Sequence, residues 1–132
     1  MNVWLLSANS RIYNHQRAFE EQGYIDWKQT RNFSVGDIVY IYLTKPSSRI
    51  RYKTTVVAID LPPYIDGFWN VKLDISSMGK QFMRLSLDSI CDSQSLTFEE
   101  LQKHGMRYAP QSPGKVSKEI QNYLTRCFEE GK

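Results

Sequence analysis

Six consecutive residues, Ile38-Val39-Tyr40-Ile41-Tyr42-Leu43, are all β-branched, aromatic or large and aliphatic, with nothing more polar than tyrosine among them. A strand of this kind has no side to turn to water, so it must be covered on both faces and lie inside its sheet, not at an edge. Gly36-Asp37 opens the run and Pro46 stops it, with Asp37 expected to cap a turn beside Gly36. The surrounding residues 25–53 carry most of the functional signal. Trp27 precedes the strand among Asp26, Lys28, Gln29, Thr30 and Arg31, the setting of a polar loop, and Lys45, Arg49, Arg51 and Lys53 follow it, interleaved with Tyr42 and Tyr52. Flat aromatic surface beside positive charge suits a nucleobase and its phosphate.

The remaining elements follow from local pattern. Val3-Trp4-Leu5-Leu6 reads as a first strand running into the polar loop Ser7-Ala8-Asn9-Ser10, with Trp4 in the core. Asn14 can cap a short helix through about Gln22, with Ala18 and Phe19 facing inward and Gly23 as its left-handed terminator. Beyond the turn at Lys45-Pro46-Ser47-Ser48, a second strand is expected over 49–60, with Ile50, Tyr52, Thr54, Val56 and Ala58 on one face. Pro62-Pro63 cannot donate to a ladder, so the chain turns there. Trp69, Val71, Leu73 and Ile75 alternate with polar residues and predict a strand with one buried face, which would place Trp69 in the core. Ser76-Ser77-Met78-Gly79-Lys80 would then be a hairpin loop into a fifth strand containing Met83, Leu85 and Leu87. Thr97 and Glu100 have capping-box spacing for a short helix ending near Gly105. Ser112-Pro113 predicts the cap and first-turn proline of a last helix, whose apolar face recurs at Val116, Ile120, Leu124 and Cys127 or Phe128; the final Glu129-Glu130-Gly131-Lys132 reads as a frayed end. The class is α+β: a small β-barrel or pseudo-barrel of five to six strands with short helices packed around it.

A chain of 132 residues has the size of one domain with a real hydrophobic core, spanning 1–132. Its 41% hydrophobic and 23% charged residues are ordinary for a soluble globular protein, and no apolar run is long enough to span a bilayer, so no membrane association is expected. No basic leader precedes an apolar segment, which makes the cytoplasm the expected location. The net charge of +3 permits an anionic partner without requiring one. Cys91 and Cys127 form no CxxC pair and are expected as reduced thiols; nothing suggests a metal or a cofactor. His15 and His104, without ligand-spaced partners, are expected at the surface or as caps. The chain lacks GxSxG, a Gly-rich phosphate loop, HExxH and a His/Cys pair, so it is not expected to be an enzyme, and any catalytic step would come from an effector protein partner.

Taken in order, Trp4-Leu5-Leu6-Ser7 with Asn9, then Trp27, then Gly36-Asp37-Ile38-Val39-Tyr40-Ile41-Tyr42, and finally Pro110-Gln111-Ser112-Pro113 before the last helix, the chain resembles an EVE domain of the PUA-like group, which also holds the YTH and ASCH domains. The resemblance covers nearly the whole chain and implies a pseudo-barrel with a non-catalytic pocket. YTH relatives read methylated adenine in RNA through an aromatic cage, and EVE domains are thought to read modified bases in DNA or RNA. By position, Ser7 and Asn9 match the polar loop beside that pocket and Trp27 matches a cage wall. The better-known EVE proteins have an acidic Ser-Glu-Pro loop and a Trp-Asp-Gly-Val stretch, where this chain has Ser7-Ala8-Asn9 and Trp27-Lys28-Gln29-Thr30, and no motif assigns a second wall.

The expected ligand-binding set is therefore Ser7, Asn9, Ser10, Tyr13, Trp27, Tyr42 and Thr44, with Lys45, Arg49, Arg51 and Lys53 on phosphate and DNA or RNA carrying a modified base as the partner. Each has a plainer reading. Trp27 could be core, Tyr13 and Tyr42 could fill the barrel, and the four cations could be a solvated strand face that protects an edge. At the level of function, the alternatives are a sensor of a small nucleotide-like ligand and a protein-interaction domain.

Overall fold

A computed structural model describes residues 1–130. In chain order its elements are β1 (Val3–Ala8), α1 (His15–Gln22), β2 (Tyr24–Lys28), β3 (Ile38–Leu43), β4 (Arg49–Leu61), β5 (Phe82–Ile90), α2 (Phe98–Gln102), β6 (Gly114–Lys115) and α3 (Lys118–Glu130). The strands form one mixed sheet in the order β2-β5-β4-β3-β1-β6, with β1 parallel to β3 and the other pairs antiparallel. As the sequence predicts, the class is α+β and β3 is interior. Val39, Ile41 and Leu43 enter one core, while Tyr40 and Tyr42 enter a second on the opposite face. Burying an aliphatic or aromatic side chain stabilises by roughly 1.5–3 kcal/mol, so this one strand ties both layers together.

The first core, inside the bend of the sheet, collects Leu6 and Ala8 from β1, Ile25 from β2, Tyr52 and Val56 from β4 and Met83 and Leu85 from β5. Strands separated by three others in the sheet thus meet in one core, which requires strong curvature. Bulges supply it: the register of β4 shifts against β3 between Ile41 and Tyr42 and against β5 at three places. The sheet bends without closing, since β2 and β6 remain as its two edges. α3 covers the outer face through Ile120, Leu124, Cys127 and Phe128.

The caps predicted for the first two helices are present. Asn14 Oδ1 accepts the Arg17 N–H at 3.0 Å, and Gly23 ends α1 at a φ of 81°, donating to Phe19 O. Thr97 caps α2. Five expectations need correction. Trp27 lies in β2, not a loop, because the flanking Asp26 is a buried strand residue. Residues 69–75 form no strand: Trp69 makes a single bridge to Tyr13, and Ile75–Ser77 is a 3-10 turn capped by Asp74 instead of part of a hairpin. α3 begins at Lys118, where Ser117 Oγ accepts the Ile120 N–H at 3.3 Å; Ser112 and Pro113 instead precede β6, which pairs with Trp4 and Leu5. Ile50 does not share a face with Tyr52, since the bulge leaves Arg51 between their partners Tyr42 and Ile41 and sends Ile50 to the outer core. His15 is buried, at 1% exposure. α3 runs through Glu130, and Gly131 and Lys132 lie outside the described residues. Among the described residues no helix is long and apolar enough to cross a membrane, and no cluster of three or more His, Cys, Asp or Glu side chains could hold a metal.

Candidate functional site

Where the bent sheet brings β1 opposite β2, a cavity of about 420 Å³ opens. β1 and the residue after it contribute Leu6, Ser7, Ala8 and Asn9; β2 and its continuation contribute Trp27, Lys28 and Thr30; the connection between β4 and β5 contributes Trp69, Leu73, Ser77 and Met78; Gln111 and Pro113 close one side. The floor is apolar and the polar groups sit at Ser7, Asn9, Lys28, Thr30 and Gln111, the usual composition of a small-molecule pocket.

Trp27 and Trp69 dominate it. Their rings are nearly parallel, 13° apart in inclination with centroids at 5.5 Å. Behind them the fully buried Tyr13 ring meets Trp27 edge-on at 5.1 Å and Trp69 edge-on at 4.8 Å, and its hydroxyl donates to Asp66 at 2.9 Å. Burial and that carboxylate together drive the Tyr13 phenol upward, so it stays a neutral donor. The backbone holds Trp69 in place as well: Asn14 N–H donates to Phe68 O at 2.8 Å and Asn70 N–H to Ile12 O at 2.7 Å.

Trp27 is fixed by its neighbour. Asp26, 2% exposed, accepts from Arg84 Nε at 2.9 Å and Nη2 at 3.1 Å, and also from the Tyr64 hydroxyl, pinning β2 to β5 and the start of the 62–81 connection to β2. On β1 the corresponding anchor is Asp37, which accepts from Trp4 Nε1 at 2.9 Å, Asn2 N–H at 3.0 Å and Ser34 N–H at 3.0 Å. Burial pushes the Asp37 carboxyl up, but the three donors outweigh it and hold it below its ordinary value. It does more than cap a turn, because it joins the start of β1 to β3.

Of the expected ligand set, Ser7, Asn9 and Trp27 line the cavity, and Tyr13 lies behind it with no exposed surface. Tyr42 is not at the site: it faces the outer core and meets Phe98 edge-on at 6.5 Å. Ser10 lines a separate polar cavity, and Thr44, whose N–H donates to Ala8 O, does not line the pocket. Among the four expected phosphate-binding residues, Lys45 is exposed and Lys53 half-buried, while Arg49 donates to Ser93 O at 2.6 Å and Arg51 to Asp92 at 2.7 Å. Trp69, Lys28 and Gln111 were missed. Alternation with apolar residues points Trp69 to the core; its place in a Pro- and Gly-bounded stretch is the sign of a loop position.

No family model matches the chain, and a comparison with curated proteins gives no match. Solved structures do match over nearly its full length. The crystal structure of ASCH from Zymomonas mobilis has a TM-score of 0.67 at 11% identity, covering 95% of this chain and 94% of that one. An NMR structure from Rhodopseudomonas palustris has a TM-score of 0.68 at 13% identity, with 99% and 93% covered. A hypothetical protein from Leishmania major has a TM-score of 0.64 at 19% identity, with 98% and 96% covered. At such identities the likeness concerns the fold alone, which is shared with the ASCH structure.

Proposed function

We propose that the chain is a non-catalytic nucleic-acid-binding module that takes one modified base into the cavity beside Trp27 and Trp69. The observation that carries this reading is the pair of indoles lining a cavity of about 420 Å³ that is also lined by Ser7, Asn9, Lys28, Thr30, Ser77 and Gln111. An extruded base would stack on an indole for roughly 1–3 kcal/mol, while Ser7, Asn9 and Gln111 meet its hydrogen-bonding edge. Ile12 and Leu73 offer apolar surface to a methyl group, worth roughly 0.8 kcal/mol when buried and so a several-fold preference. Among the described residues, Lys28 is the single ionisable side chain lining the cavity, which supports binding over acid/base turnover. For a PUA-like fold, the order of Ser7, Asn9 and Trp27 favours an EVE-like reader, with Trp69 as the second indole of the pocket, stacked beside Trp27. Lys45, Arg49, Arg51 and Lys53 are assigned to the flanking phosphates, and catalysis to an effector partner.

The test is a screen of short single-stranded DNA and RNA carrying methylated cytosine or adenine against plain strands of the same sequence. Preferential binding that weakens as salt rises is expected. Equal binding of modified and plain strands at low salt, with a free nucleotide binding more tightly than either, would favour the small-ligand sensor.

A further inference from the structure

A second cavity, of about 400 Å³, lies beside the first turn of α1 and is polar where the base pocket is apolar. Asn14, His15 and Gln16 line it from the helix, Arg49, Arg51 and Tyr52 from β4, and Asp92 from beyond β5. Two guanidinium groups against one carboxylate leave it net positive. Two of its groups are unsatisfied. His15 is 1% exposed and neither ring nitrogen makes a well-formed hydrogen bond; Arg49 Nε is buried without a partner although its Nη2 donates to Ser93 O. A buried donor left unpaired costs about 1–3 kcal/mol, so two of them around one polar space mark a place where an acceptor belongs. The first turn of α1 adds the positive end of its dipole, and Arg51 is already in place through Asp92 at 2.7 Å and the Tyr52 hydroxyl at 2.9 Å.

We propose that this cavity is a binding site for a single phosphate group, either free or at the terminus of a nucleotide chain. This deepens the phosphate role assigned above to Arg49 and Arg51, and it does not need the base pocket. Phosphate oxygens accept from Arg51, and a small turn of the buried Arg49 and His15 side chains toward the anion brings their unpaired donors to it; Asp92 is the competitor, because its carboxylate occupies Arg51 in the absence of the anion. Asp92 is therefore a brake on the site. The His15 ring also lies 5.2 Å from that of Trp27, so the tryptophan that lines the base pocket borders the residue that senses the phosphate.

Calorimetric titration of inorganic phosphate into the full chain at constant ionic strength tests the assignment. Saturable binding is expected, weakened about ten-fold or more in Arg51→Gln, as for loss of a charge-assisted contact. It should tighten several-fold in Asp92→Asn, which frees Arg51 while leaving a largely exposed side chain, and should not change in Lys118→Gln, which removes the same charge from α3. Absence of saturable binding, an equal loss in Lys118→Gln, or weakening in Asp92→Asn would overturn it. A pair of plain trinucleotides with and without a 5′-phosphate separates the two sources. Tighter binding of the phosphorylated strand, lost in Arg51→Gln, identifies a nucleotide terminus; no difference between the strands, with inorganic phosphate still bound, identifies the free anion. With strands lacking a terminal phosphate in the modified-base screen, and a nucleoside run beside the free nucleotide, failure of either reading leaves the other standing.

Discussion

Trp69 lies almost parallel to Trp27 with ring centroids 5.5 Å apart, too close for a base to slide between them. Two surfaces stacked on opposite faces of one flat ring stand about 7 Å apart, twice a ~3.5 Å carbon contact. Trp27 is held by β2, Tyr13 and His15, so on the proposed reading a base would either stack on the open face of the pair or displace the Trp69 ring. Trp69→Ala should accordingly cost about 1–3 kcal/mol of binding and a smaller loss of melting temperature than Trp27→Ala, since its ring packs on Tyr13 but not on His15. Trp27→Ala should lose a similar amount of binding and also about 2 kcal/mol of stability, because its ring supports the buried Tyr13 and His15. Calorimetric melting combined with oligonucleotide titration distinguishes them; equal loss of melting temperature in both would make Trp69 a core residue.

Asp37 makes a second prediction. Replacing it with Ala strands three donors, from Trp4, Asn2 and Ser34, and should destabilise by about 3 kcal/mol or more, read by urea denaturation. Because its folded value lies below the unfolded one, its contribution is present above the unfolded carboxylate value of 3.8 and is lost as pH falls through the folded value. The wild type should therefore lose stability in that acid range, and the slope should flatten in Asp37→Asn.

His15 acts at higher pH. Burial pushes its imidazole down to about 4, against the Tyr13 carbonyl, which pulls it up. The unfolded chain takes the proton first, near pH 6.5, so stability should fall between about pH 6.5 and 4, by roughly 3 kcal/mol in all at 1.36 kcal/mol per pH unit. His15→Phe should remove most of this slope in denaturation curves at pH 7 and pH 5. If the slope survives unchanged, the imidazole is not buried as described.

These residues also show what local sequence can carry. β3 and α1 were legible because their signals are internal: an unbroken apolar run, and a cap at each end. β2 was not, since Asp26 interrupts the apolar pattern and only its buried pairing with Arg84, 58 positions away, makes a charged residue acceptable in a strand. β6 has two residues, Gly114 and Lys115, and neither favours a strand; it forms because β1 offers an open edge. The alternation over 69–75 is real but finds no neighbouring strand, so only Trp69 bridges. Three residues of the cavity lining, Ser7, Asn9 and Trp27, could be placed by position. The other wall could not, because whether Trp69 faces a cavity depends on how far the sheet bends β1 toward β2.

The final prediction separates reading a base from holding a strand. Lys28 lines the base cavity, whereas Lys45 lies on the exposed turn after β3. A phosphate contact releases counterions whatever the base, and each one lost lowers the slope of log affinity against log salt by about 0.7 for a single strand. Lys45→Ala should therefore weaken modified and plain strands equally and reduce that slope by about this amount. Lys28→Met keeps the aliphatic stem beside Trp27 but removes the donor, so it should change the preference between bases and leave the slope nearly intact. Titrations at several salt concentrations with both kinds of strand give the two quantities separately. If Lys28→Met lowers the slope and weakens all strands alike, its ammonium binds the backbone and the base edge is read by Ser7, Asn9 and Gln111 alone.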